Sequence, residues 1–538
     1  MKFRGSVYAA VLATLAGSTL AGLVLAGAAK TAAASPSQAP SAAPSQSPSH
    51  EPQSLPNTRS FVTTHAGTFG GTAVTYTATA ADTLLTDAHG APTAAIFAFT
   101  YLRQGVKDTS SRPVLFIFNG GPGSASLWIH MGAVGPRRIA PDDPAHPKTV
   151  GPFHILDNPL SPLDVADLVF IDPVGTGFSH AVGSGKPDDF YGVEVDAKAT
   201  ADFIGKWLTQ HHRWMSPKYV LGESYGTTRA AVLATTLQGG PFKGGDLPGV
   251  SLNGVMLLGV ALGSPGQDAS TQLLLPSLAA TAWYQNKVDK GSRTLEAFLN
   301  EVMQFAATDY GAALFAGSRL PEAQRNVIAA RLSSYTGLSA DFILKHHLRL
   351  DNNQFVGELL HERNLDVGKY DGRYTMPHVG SGADPVADDA AMTQYTPAYI
   401  AAFNEYIENE LAVTLSDRYE VIAFRAVNAH WNWEGSASDL RSNELAAAMR
   451  RNPSSKLFVG SGYYDLVTPF ADAQYTVDHA DIPPERITIK NYESGHMVYL
   501  GDAPAPCLCQ GPQGVFGPLR LGIVAKGLMP SSSYISFG

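Results

Sequence analysis

The sequence predicts an α/β fold: a mostly parallel central sheet flanked by helices, with a largely helical cap inserted into it. Three observations predict it. Continuous apolar runs at residues 114–118, 168–171 and 255–258 each end in a turn opened by Asn, Asp or Gly, as strands buried on both faces do. Helical patterns separate those runs, which is the alternation a parallel sheet covered on both faces requires. Between residues 263 and 451 the alternation stops. Apolar positions there recur at helical spacing, first at Leu295, Phe298, Leu299, Val302 and Ala306, then at Ile400, Phe403, Ile407 and Leu411.

Taken in order, the chain opens with Lys2 and Arg4 and an uncharged Ala/Leu/Val-rich stretch over residues 5–29. Small residues follow at Ala26-Gly27-Ala28 and Thr31-Ala32-Ala33, so residues 1–34 have the layout of a signal peptide and the protein is expected to be exported, periplasmic or secreted. The stretch is long enough to span a bilayer, and an uncleaved membrane tether is the alternative. Residues 35–57 are dominated by Ser, Pro and Ala, a composition that buries no core and reads as a disordered linker. The first part of the core is then 58–262. It begins with an antiparallel hairpin, 73–81 against 94–103, turning at Ala88-His89-Gly90. Residues 194–214 read as a helix, 218–221 as a strand and 227–237 as an alanine-rich helix. The cap is 263–451. The second part of the core, 452–510, holds strands at 456–459 and 486–489. Residues 511–538 are an irregular, glycine-rich tail.

A chain of 538 residues, 44% hydrophobic, accommodates a large core with such an insertion. Its net charge of −9 argues against a nucleic-acid partner, and no membrane partner is expected once the signal is cleaved. Two cysteines, Cys507 and Cys509, supply neither a disulfide framework nor a cysteine-based metal centre.

Gly222-Glu223-Ser224-Tyr225-Gly226 lies between a strand and a helix. There the glycines permit a sharp turn that holds one serine hydroxyl above the sheet edge. That hydroxyl is a poor nucleophile until a base takes its proton, and the base needs a carboxylate to orient it. Asp465 and His496 follow two successive predicted strands, on loops at the carboxyl end of a parallel sheet. His361, His430 and His479 lack that context, and Asp472 and Asp478 fall in a predicted helix after Pro469. Asn119-Gly120-Gly121-Pro122-Gly123 leaves a core strand; on its own it reads as a tight turn. Beside the other pieces it supplies oxyanion donors, the N–H of Gly121 paired with that of Tyr225.

These pieces resemble the serine carboxypeptidases, of the α/β-hydrolase fold. Asn119-Gly120-Gly121-Pro122-Gly123-Ser124, Asp172-Pro173-Val174-Gly175-Thr176-Gly177-Phe178-Ser179, the Ser224 pentapeptide and Gly495-His496-Met497-Val498 stand in that family's order. The resemblance implies a triad of Ser224, Asp465 and His496 and release of C-terminal residues from peptides or proteins, with no cofactor and no metal. It also implies that Asn119, Gly120 and Glu223 hold the substrate's terminal carboxylate, which requires Glu223 to be protonated. The alternative for Glu223 is a solvated carboxylate at the rim. Ala133 stands where family members often carry a second glutamate, Ser124 where a half-cystine is common, and the Asp172 motif lacks a glutamine before Pro173. An esterase or acyltransferase keeps the triad with another substrate, and a non-enzymatic binding module of the same fold is the remaining alternative.

Overall fold

The computed structural model describes residues 58–139, 147–240, 248–378, 380, 384–433 and 440–500. Segments 1–34, 35–57 and 511–538, like Cys507 and Cys509, lie outside the described residues. Among the described residues, no helix is long and apolar enough to cross a membrane.

A ten-stranded sheet forms the centre. In chain order its strands are β1 (Ser60–Phe69), β2 (Thr72–Thr86), β3 (Pro92–Arg103), β4 (Val114–Phe118), β5 (Asp167–Ile171) and the short β6 (His180–Ala181). They continue with β7 (Lys218–Glu223), β8 (Gly254–Leu258), β9 (Lys456–Gly462) and β10 (Ile487–Tyr492). Across the sheet the order is β1-β2-β3-β5-β4-β7-β8-β9-β10, with β6 paired to β3. From β5 to β10 every pairing is parallel; β1, β2 and β3 form an antiparallel extension that joins at β5. The predicted hairpin is β2–β3. The sequence reading left out β1, whose residues alternate between exposed and half-buried and whose apolar content is low.

Alternate residues of the central strands serve opposite faces. Leu115, Ile117, Phe170, Leu221, Met256 and Phe458 enter one cluster, and Phe116, Val169, Val220, Val255, Leu257 and Val459 the other. The second face is covered by α1 (Val193–Gln210) and α2 (Tyr225–Gln238), packed on each other.

The stretch 263–451 contains two kinds of helix. One group closes a core of its own: α3 (Gln267–Tyr284), α4 (Leu295–Phe305) and α5 (Glu322–Thr336). Phe298, Leu299 and Val302 are buried there as the spacing predicts, together with Tyr464, Leu466 and Phe470 from the second core segment. The other group lies on the sheet. α6 (Ala390–Asn409), capped by Asp389 accepting from the N–H groups of Ala391 and Met392, puts Phe403, Tyr406 and Ile407 into the first face. α7 (Ser442–Arg451) puts Leu445 and Met449 into the second and packs on α2. By packing, α7 therefore goes with the core rather than with the cap to which the sequence reading gave it.

Candidate active site

The carboxyl ends of β4, β7, β8 and β9 are level: Phe118 pairs with Gly222, Glu223 with Leu258, and Leu258 with Gly460. At the end of β7 the chain turns into α2 through Ser224, whose φ of 59° and ψ of −130° leave the ordinary regions for a residue with a side chain. A conformation of this kind costs about 1–3 kcal/mol and is held by its surroundings. Here the Ser224 N–H donates to the Leu258 carbonyl at 2.9 Å, and the Ser224 carbonyl accepts from the Thr227 N–H at 2.8 Å and its hydroxyl at 2.7 Å. The flanking glycines answer a different need. A Cβ on Gly222 would lie 2.2 Å from the Gly226 carbonyl oxygen, so close approach of strand and helix, not positive φ, excludes a side chain there.

Asp465 and His496 follow the adjacent strands β9 and β10 and meet. Imidazole Nδ1 is 2.8 Å from Asp465 Oδ2. The carboxylate is fully buried and also accepts from the N–H groups of Val467 (2.8 Å) and Thr468 (2.9 Å) and from the Thr468 hydroxyl. Burial pushes the imidazole down, but the Asp465 carboxylate outweighs it, assisted by Glu223 and Asp389, and the net shift is upward. The Tyr370 carbonyl takes the His496 N–H at 2.7 Å, and the Tyr370 ring stands edge-on to the imidazole at 5.3 Å. Thr468 and Tyr370 escaped the sequence reading. Asp465 followed three residues later by Thr468 is a local capping pattern that sequence could have shown; nothing marked Tyr370.

His496 and Ser224 line one cavity with Asn119, Gly120, Gly121 and Glu223. Neither the Gly121 nor the Tyr225 N–H donates to another group among the described residues. Glu223 is buried, not solvated at a rim. Its Oε1 accepts from the Asn119 amide at 2.8 Å and from the Tyr499 hydroxyl at 3.4 Å, while Oε2 is buried without a partner. Burial lifts its pKa to about 7; His496, Tyr499 and Asn119 pull it down, and Asp465 adds to the rise. Behind Asn119, Arg229 donates to its carbonyl at 2.7 Å and pairs with Asp196, also at 2.7 Å. The rest of the cavity is largely apolar. Trp128, Met392, Tyr395, Ile422, Phe424 and Met497 form its walls.

The competing residues lie elsewhere. His361, His430 and His479 are exposed and absent from the cavity lining. Asp472 is half-buried in α8 (Phe470–Asp478), where desolvation pushes it up to about 6, and Asp478 is exposed at the end of that helix.

The family model of serine carboxypeptidases matches residues 91–496. Serine carboxypeptidase-like 8 of Arabidopsis thaliana is 30% identical over 149 residues, covering 27% of this chain and 32% of that protein. Serine carboxypeptidase-like 36 of the same plant is 32% identical over 137 residues, covering 24% and 25%. The chain thus spans about a third or less of the length of these curated relatives. Among solved structures, Kex1(delta)p, a prohormone-processing carboxypeptidase from Saccharomyces cerevisiae, superimposes with a TM-score of 0.50 over 82% of this chain and 88% of that one. At 15% identity, that likeness establishes the α/β-hydrolase fold alone. With the model matching most of the chain from β3 to His496, this protein belongs to the serine carboxypeptidase family.

Proposed function

We propose that this chain is an exported serine carboxypeptidase, with residues 1–34 as its signal peptide, that releases C-terminal residues from peptides through an acyl-enzyme. Ser224 Oγ attacks the last peptide carbonyl as His496 takes its proton, and Asp465 holds the imidazole by Nδ1. The N–H groups of Gly121 and Tyr225 receive the oxyanion. His496 then returns the proton to the leaving amine, which departs as the released amino acid. Water activated by the same imidazole cleaves the ester.

The observation that carries the exopeptidase reading is the Glu223 carboxyl. It is buried in the cavity that Ser224 and His496 line, with a pKa near 7 and one oxygen unpaired. A neutral carboxyl donates a hydrogen bond to a substrate carboxylate, which an ionised one repels. Asn119 and the Gly120 backbone complete the carboxylate site.

The test is a blocked dipeptide with a free carboxylate against its amide, together with a fluorophosphonate probe. Wild type is expected to cleave the acid at least about tenfold faster, since one hydrogen bond to a charged group is worth about 1.5–3 kcal/mol. Ser224→Ala should neither cleave nor label. Equal rates on acid and amide would remove the carboxylate assignment and leave the hydrolase.

A further inference from the structure

Tyr499 stands three residues after His496, and its ring lies against Gly132. A Cβ on that glycine would come within 2.4 Å of Tyr499 Cε2 and 2.6 Å of the Tyr399 hydroxyl. Ala133, next in the chain, offers only a methyl group. The Tyr499 segment is held from the other side as well, because the Arg373 guanidinium donates to the Leu500 carbonyl. In this position the Tyr499 hydroxyl reaches Glu223 Oε1, the oxygen already engaged by the Asn119 amide.

We propose that Tyr499 is a positioning residue: with Asn119 it fills Oε1 of Glu223, so that the acidic proton resides on Oε2 and is presented to the substrate's terminal carboxylate. This rests on the carboxypeptidase reading. The physical ground is the inventory of the carboxyl group. An oxygen accepting two hydrogen bonds is the poorer seat for a proton, and the remaining oxygen becomes the donor. Burial holds the Tyr499 phenol well above its ordinary pKa, so it remains a donor wherever Glu223 titrates. The titratable groups facing Glu223 are His496, Asp465, Tyr499 and Tyr399. Of these, only Tyr499 hydrogen-bonds to it among the described residues. The place of Gly132 follows: it leaves the gap that the phenol ring needs.

The experiment compares wild type, Tyr499→Phe and Gly132→Ala on a free-carboxylate dipeptide and its amide across pH, with thermal melting as a check on folding. Loss of one neutral hydrogen bond corresponds to about three- to tenfold. For Tyr499→Phe, KM for the free acid should rise by that factor with kcat within about twofold. The alkaline limb should move to higher pH, because the phenol stabilises the ionised form of Glu223, while turnover of the amide stays unchanged. Gly132→Ala should reproduce the KM rise by displacing the ring. A Tyr499→Phe enzyme impaired equally on both substrates, or one with unaltered KM and limb, overturns the proposal. If wild type itself fails to distinguish acid from amide, the carboxypeptidase reading falls and takes this inference with it; a discriminating wild type with an unaffected variant removes the inference alone.

Discussion

At Glu223 and His496, the same burial acts on two groups of opposite charge. It favours the neutral acid outright, whereas for the imidazole the Asp465 carboxylate reverses its effect. Each group also favours the charged form of the other, so they titrate as a coupled pair. The signs then fix the pH profile. In the carboxylate-binding role proposed for it, Glu223 can donate only while protonated, and that form is lost as pH rises through about 7. His496 accepts a proton only while neutral; with its pKa raised, that form is lost as pH falls. We expect kcat/KM on free-carboxylate peptides to be a narrow bell, and on the amides to show the acid limb alone. In Glu223→Gln the alkaline limb should vanish, since an amide donates at every pH. The same variant should be the more stable protein in alkali. A carboxyl raised from 4.5 to about 7 costs the folded state stability as pH climbs through that interval, about 3 kcal/mol in total. Melting curves at mildly acid and alkaline pH would check this.

The turn between β7 and α2 was legible in sequence as a G-x-S-x-G between strand and helix, and the order of acid and base after it followed from strand ends. The packing reason for the glycines was not legible, because it depends on how closely β7 and α2 approach. With both elements fixed by burial, a methyl at Gly222 has no space to enter. Gly222→Ala should therefore lose about 3 kcal/mol or more of stability and label slowly with a fluorophosphonate. Urea unfolding and labelling rates measure the two effects separately. Labelling at the wild-type rate in a stable Gly222→Ala protein would contradict the close approach. β1 shows the opposite limit of sequence reading. Ser60–Phe69 carries too few apolar residues to announce a strand, and pairing along its own whole length with residues 72–81 of β2 places it at the sheet edge.

Across the whole molecule, the cavity draws its walls from segments distant in sequence: Trp128 after β4, Met392 and Tyr395 on α6, Ile422 and Phe424 beyond it, and Met497 beside the imidazole. No single periodicity links these segments, which is why side-chain preference could not be read from sequence, whereas Ser224, Asp465 and His496 each follow a strand that could. Among the described residues that line it there is no Lys or Arg, and Glu223 is the one carboxyl. An acidic side chain entering this space would lose its hydration without gaining a cation. Free-carboxylate dipeptides with bulky apolar residues should accordingly show kcat/KM at least about tenfold above acidic analogues, a ratio equal to about 1.4 kcal/mol. A panel of substrates differing in one residue measures it, and equal values would refute it.

The segment carrying Ile422 and Phe424 is fastened by peptide groups. The Ala125 N–H donates to the Val421 carbonyl at 3.0 Å, the Ala423 N–H to the Gly123 carbonyl at 2.7 Å, and Gly177 exchanges hydrogen bonds with Glu420 at 2.8 and 3.0 Å. None of these bonds involves a side chain. The wall that shares the cavity with Ser224 thus keeps its place whichever side chains it carries, and positions 422 and 424 are free to drift, in evolution or in the laboratory, without displacing the backbone that bears them.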